Sequence, residues 1–85
     1  MKLYTLDNQF IKETGEWPSN FTGLIIWDSG SKEWYTNGKY HRLDGPACEY
    51  PNGTKSWWIK GQYIKCANNE QFLLFVDLMK LKGLI

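Results

Sequence analysis

Between residues 24 and 66 the apolar and polar side chains alternate in short runs, each broken by a glycine or an Asn-Gly pair, and after residue 68 the apolar spacing lengthens to three and four. A period of two belongs to half-buried strands, and the longer spacing to a helix lying along one face. The runs place strands at 24–28, 32–36, 39–43, 47–50, 54–59 and 62–66. Asn37-Gly38 and Asn52-Gly53 suit the positive φ angles of type I′ turns, and Asp28-Ser29-Gly30 and Lys60-Gly61 carry weaker forms of the same signal. Successive strands joined by such tight turns pair antiparallel, as a meander.

The last element reads as a helix over 69–82. Asn68 or Asn69 can cap it, Glu70 falls in the first turn, Lys80 and Lys82 in the last, and Gly83 terminates it. Phe72, Phe75, Val76 and Met79 form one apolar stripe, and Leu74, Leu78 and Leu81 an adjacent one. That apolar surface is wider than a coiled-coil seam, so the helix should cover a sheet face, with any excess buried by the N-terminal segment or a second copy.

Residues 1–23 lack clear periodicity. Leu3 to Leu6 could make a short strand and Phe10-Ile11 an apolar anchor, but Pro18, Asn20 and Gly23 break any longer element. The segment is expected to be a flap, with Trp17 and Phe21 folded over an edge of the core.

Shifting the chain against itself by 23 residues superposes Gly30 on Gly53, Lys32 on Lys55, Trp34 on Trp57, Gly38 on Gly61 and Tyr40 on Tyr63. Shared glycines and aromatics at one offset mark an internal repeat of two units. The fold expected is therefore α+β, mainly β: an antiparallel β-meander of two repeat units with one C-terminal helix packed on the sheet, in a single domain spanning 1–85. Leu43-Asp44-Gly45-Pro46-Ala47 joins the two units as a turn.

Composition explains how so small a domain could hold together. A chain of 85 residues can bury only roughly 60–65% of its unfolded surface, so large side chains must supply the core, and 16% of the residues are aromatic, five Trp and five Tyr among them. The net charge of +1 gives no global field toward nucleic acid, membrane or acidic partners. Cys48 and Cys66 sit in strand-like runs without metal-ligand spacing and read as reduced core thiols; no metal or cofactor is expected. No run approaches the length of a signal peptide core or a membrane span, so the sequence predicts a cytoplasmic protein in which Asn20-Phe21-Thr22 and Asn52-Gly53-Thr54 are not glycosylated.

Alternation sends Trp57 and Trp58 to opposite faces, and Trp34 and Tyr35 likewise. Trp34, Trp57 and Ile59 are expected under the helix. Tyr35 and Trp58 are expected on the other face beside Lys and Arg side chains, where the flap could cover them as a second small core.

The string Asn37-Gly38-Lys39-Tyr40-His41-Arg42-Leu43-Asp44-Gly45-Pro46-Ala47, with Glu49-Tyr50 and Asn52-Gly53-Thr54-Lys55-Ser56-Trp57-Trp58 after it, resembles the NGK-x-HR-x-DGPA repeats of phage and giant-virus proteins, which are related in pattern to MORN-like repeats. The resemblance covers roughly residues 21 to 63. It implies a phage-type β-repeat protein without a settled family activity. The second unit departs from the pattern, with Ile64-Lys65 in place of His-Arg and no second Asp-Gly-Pro-Ala, so the array ends there.

The single histidine, His41, has no partner spaced for nucleophilic or acid–base chemistry, and no enzyme is expected. The residues expected to bind a partner are Tyr35, Lys39, Tyr40, His41, Arg42, Lys55 and Trp58. Aromatic and Arg-rich surfaces anchor protein interfaces, and aromatic platforms flanked by Lys and Arg also hold single strands. The expected partner is a host protein, with RNA or single-stranded DNA as the alternative and a homodimer as a third arrangement; no membrane partner is expected.

Overall fold

The computed structural model describes all residues, Met1–Ile85. It contains β1 (Lys2–Tyr4), β2 (Phe10–Glu13), β3 (Gly23–Ile26), β4 (Lys32–Thr36), β5 (Lys39–Tyr40), β6 (Cys48–Glu49), β7 (Lys55–Ile59), β8 (Gln62–Ile64) and α1 (Asn69–Leu81). The strands run β2-β1-β3-β4-β6-β7-β8 across one antiparallel sheet, with β5 beside part of β4. The expected meander and C-terminal helix are both present.

β4 is the hub of the sheet. One of its edges carries β3; the other carries β6 at Lys32–Glu33 and β5 at Tyr35–Thr36. Between them residues 41–47 swing out and return. Trp34 closes both ends of this excursion, its C=O accepting from the His41 N–H at 3.0 Å and its N–H donating to the Ala47 C=O at 2.8 Å. The strands expected at 39–43 and 47–50 are thereby shortened to β5 and β6, because the Asp-Gly-Pro turn occupies more backbone than a tight hairpin.

The N-terminal segment corrects the flap expectation. β1 pairs with β3 on one side and β2 on the other, so half of residues 1–23 extends the sheet. Leu3 supplies the buried side chain that fixes β1, and Asn8, at φ 69°, makes the turn into β2. Only the stretch from Thr14 to Thr22 crosses over the sheet.

Two turns have positive φ at both central residues: Asn37-Gly38 (51° and 79°) and Lys60-Gly61 (51° and 80°). These are the I′ pattern that matches strand twist. At Asn52-Gly53 only Gly53 is positive, and Asn52 Oδ1 instead accepts from the Thr54 N–H at 2.9 Å, so this expected I′ turn is a longer loop.

Strand registers divide the side chains cleanly. Leu3, Ile25, Glu33, Tyr35, Tyr40, Cys48, Ser56, Trp58 and Tyr63 share one face, and Leu24, Trp34, Glu49, Lys55, Trp57 and Ile59 the other. Each face has its own core. Leu3, Ile25 and Tyr35 pack with Phe21, Trp27 and Tyr40 on the first. Trp57 and Ile59 meet Phe72 and Val76 of α1 on the second.

The helix covers only the β7–β8 end of its face, which corrects the placement of Trp34. That indole lies on the expected face but is roofed by Arg42, whose guanidinium carbon sits 3.8 Å from the ring centroid. Asn68 caps the helix by accepting from the Gln71 N–H at 3.0 Å, and the neighbouring Asn69 Oδ1 accepts from Trp57 Nε1 at 3.0 Å. At the other end Gly83 N–H donates to Lys80 and Leu84 N–H to Met79, a Schellman closure with Gly83 at φ 71°. Cys48 is buried as expected, whereas Cys66 is only half-buried.

Candidate functional site

Alternation along β4 points Glu33 and Tyr35 inward together, and Glu33 is only 8% exposed. Its Oε1 accepts from Trp27 Nε1 and from the Tyr35 hydroxyl, each at 2.7 Å, and its Oε2 accepts from the Tyr40 hydroxyl at 3.1 Å. None of the ion pairs involves this carboxylate. Three neutral donors therefore solvate a buried charge, which ties together the end of β3, β4 and β5.

Burial, reinforced by the hydrogen bond to Glu33, pushes the Tyr35 phenol far above its ordinary value, and burial pushes Tyr40 up to about 12. The Cys48 thiol on the same face is raised by burial as well. These groups stay protonated at neutral pH, so the cluster offers no thiolate or phenolate nucleophile. Its chemistry is that of a rigid hydrogen-bonded floor.

Above this floor runs a continuous ladder of rings. Trp27 stacks on Trp17 at 6.2 Å; Trp17 meets Tyr35 edge-on at 5.6 Å; Tyr35 contacts Tyr40 at 5.0 Å, Tyr40 contacts Trp58 at 5.2 Å, and Trp58 contacts Tyr63 at 5.4 Å. Trp17 and Tyr63 are exposed. Between the two I′ turns lies an open cleft of about 450 Å³ lined by Trp17, Tyr35, Tyr40, Lys39, Lys60 and the glycines Gly38 and Gly61. A Cβ on Gly38 would stand 3.2 Å from the Asn20 backbone, so the crossing segment and the turn fit closely only with glycine there.

The structure brings some of the expected residues together and separates others. Lys39, Tyr40 and Trp58 belong to the cleft and its ladder. Tyr35 is corrected from an exposed contact to a floor residue, 4% exposed, because Trp17 packs against its ring and Glu33 takes its hydroxyl. Lys55 is exposed on the opposite face near Trp57 and Asn68.

Arg42 is also committed inside the fold. Besides covering Trp34, it donates from Nε to Asp44 at 2.9 Å and from Nη1 to the Pro46 C=O at 3.1 Å and to Glu49 at 3.2 Å. A Cβ on Gly45 would lie 3.0 Å from the guanidinium carbon, so the Asp-Gly-Pro turn wraps this side chain closely. Arg42→Ala is expected to cost about 2 kcal/mol, through the lost bonds and the uncovered indole, and Arg42→Lys about 1 kcal/mol, since an ammonium cannot reproduce the planar fork. Asp44→Ala should be nearly neutral because that carboxylate is largely exposed. Urea unfolding of the three variants checks the order; an Asp44 loss equal to that of Arg42 would contradict it.

His41 is half-buried, and its Nδ1 accepts from the Lys60 N–H at 2.9 Å, so it braces one I′ turn against the repeat joint. Burial, and then the Lys60 charge, lower its pKa below the ordinary 6.5. The unfolded chain therefore takes up the proton first as pH falls. The stability that His41 contributes is complete above pH 6.5 and is lost as pH drops below that value toward the folded pKa. Denaturant midpoints between pH about 7 and 5.5 should fall for the parent and flatten in His41→Asn, which keeps an acceptor without a titrating ring. An unchanged slope would exclude His41 as its source.

Sequence reasoning missed Glu33, Lys60 and Tyr63, whereas Trp17, expected to fold over the core, packs on Tyr35. Glu33 could have been found from its inward phase on β4, and Tyr63 from its match to Tyr40. No family model, curated protein or solved structure matches the chain. No group of three or more His, Cys, Asp or Glu side chains converges, and no helix is long and apolar enough to cross a membrane.

Proposed function

We propose that this chain is a small, non-enzymatic binding module of phage type that acts in the host cytoplasm by holding a host protein in the cleft between its two I′ turns, as an inhibitor of a defence or metabolic factor. The observation that carries this reading is the cleft itself: exposed Trp17 and half-buried Tyr40 on a floor fixed by Glu33, with Lys39 and Lys60 at the rim. Rigid aromatics beside a few charges are the anchors of protein interfaces. A single-stranded nucleic acid fits less well, since Arg42 is paired internally and Lys55 lies on the other face, leaving few free cations along the ladder.

The origin proposed rests on the two-unit repeat, and equivalent bonds support that repeat. Trp27 N–H donates to Ser31 and Gly30 N–H to Trp27; 23 positions later Tyr50 N–H donates to Thr54 and Gly53 N–H to Tyr50. β4 and β7 begin and end at positions related by the same offset.

A tagged chain exposed to host lysate, with and without nuclease, tests the function. Stoichiometric capture of one protein should survive nuclease, fall at least tenfold with Trp17→Ala or Lys39→Glu, and persist with Lys55→Glu. Nuclease-sensitive capture would replace this reading with nucleic-acid binding, and no stoichiometric partner would end it.

A further inference from the structure

The outer face of α1 is lined by leucines. Leu74 is 66% exposed, Leu78 48% and Leu81 86%, and Phe72 and Val76 on the inner face are buried against the sheet. Positions 74, 78 and 81 follow the four-then-three spacing of a coiled-coil seam, which brings them onto one line of the helix pointing away from the sheet. No other segment of the chain covers them. A domain of this size with three neighbouring exposed leucines on one helix presents an apolar strip of the kind that marks an interaction surface.

The charges beside the strip select its occupant. With Leu74 and Leu81 at d and Leu78 at a, Glu70 and Asp77 fall at g, and the e positions are Phe75, which packs toward the sheet, and the C-cap residue Lys82, so one flank is acidic and the other carries a single cation at its end. In a parallel pair of these helices the g position of one copy faces the e position of the other, five residues on. Asp77 then meets Lys82 of the second copy, and the reverse pair forms by symmetry. In an antiparallel pair like flanks meet, and Asp77 and Glu70 would face acidic groups of their own kind. We infer that the chain forms a symmetric dimer through parallel α1 helices, seamed by Leu74, Leu78 and Leu81 and oriented by Asp77 and Lys82.

Size sets the strength. The 13-residue helix is about 20 Å long and about 10 Å across, so its outer face hides less than the roughly 800 Å² per partner of a standard interface. The dimer belongs to the weak class, forming at tens of micromolar. α1 packs on the face opposite the aromatic cleft, so the two clefts of a dimer stay open and could engage a partner bivalently.

Sedimentation equilibrium of the full chain from about 5 μM to 1 mM tests this. The apparent mass should climb from 10.0 kDa toward twice that value. Leu78→Glu should hold it at the monomer mass; because Leu78 is exposed, the circular dichroism should stay unchanged, and a second, uncharged variant, Leu74→Gln, should weaken association at least tenfold in the same way. Asp77→Lys should weaken association about threefold to tenfold, and Asp77→Lys combined with Lys82→Asp should restore it. A monomer at 1 mM would overturn the proposal, as would a dimer indifferent to Leu78→Glu. Association that is lost with Leu78→Glu but ignores the charge reversal would overturn the parallel arrangement. If the chain is monomeric and Leu78→Glu instead abolishes binding to anionic lipid vesicles or to the protein captured in lysate, the strip serves that partner and self-association is wrong.

Discussion

Glu33→Ala is expected to lower stability by about 4 kcal/mol, the largest loss of any polar substitution in this domain. The carboxylate is the common acceptor for Trp27 Nε1, Tyr35 and Tyr40. Removing it strands three donors that are buried or half-buried, and each unsatisfied buried donor costs about 1–3 kcal/mol, partly relieved where water can enter the space left. Against a total of about 5–15 kcal/mol for a small domain, this takes roughly a quarter to four-fifths of the margin. At roughly 4–8 °C per kcal/mol the melting temperature should fall by about 15–30 °C. Glu33→Gln keeps one oxygen acceptor and should lose about half as much. The triple variant Glu33→Leu, Tyr35→Phe, Tyr40→Phe removes the acceptor and two donors together and should recover most of the loss, because a fully apolar replacement leaves only the indole unpaired. Thermal and urea unfolding of these three chains decide the matter; a Glu33→Ala loss under 1 kcal/mol would mean that water already serves these donors.

That network also shows where the sequence was readable and where it was not. Period-two alternation located β4, β7 and β8 and placed Trp57 and Trp58 on opposite faces, because a strand's geometry is local and the turn signals Asn37-Gly38 and Lys60-Gly61 lie beside it. The helix was legible for the same reason: cap, first-turn acid and terminating glycine all fall within its own 13 residues and their neighbours. What failed was what depends on distant chain. For Tyr35 the sequence left two outcomes, an exposed contact or a ring covered by the flap, because the packing of Trp17, 18 positions earlier, on its ring is decided by distant chain. Arg42 looked available because its covering role over Trp34 and its bond to Glu49 arise only when residues 41–47 bulge from the sheet. β1 was legible only as a possible short strand from Leu3, and β2 not as a strand at all: three and four residues carry little alternation to read, and β2 is exposed throughout.

Phe72→Ala should be the most damaging apolar substitution and should act on one half of the molecule. Phe72 is 0% exposed, and with Val76 it is one of only two helix residues buried against Trp57 and Ile59. Truncating a buried phenylalanine costs about 3–5 kcal/mol, from lost transfer energy and from the cavity that remains. The helix cannot make this up locally, since 13 residues are marginal as an isolated helix and its stability comes from docking. Its other ties to the sheet are the Asn69 bond to the Trp57 indole and partly buried Phe75 and Ile85. The core of Leu3, Ile25 and Tyr35 lies on the opposite face and shares none of these residues. Loss of Phe72 should therefore release α1 before the β1–β4 region opens, a sub-global step of the kind that hydrogen exchange detects. Amides of residues 72–82 should lose protection while those of β3 and β4 keep most of theirs. A uniform loss across both groups would show instead that the two cores unfold as one unit, with the sheet unable to stand once its helix is gone.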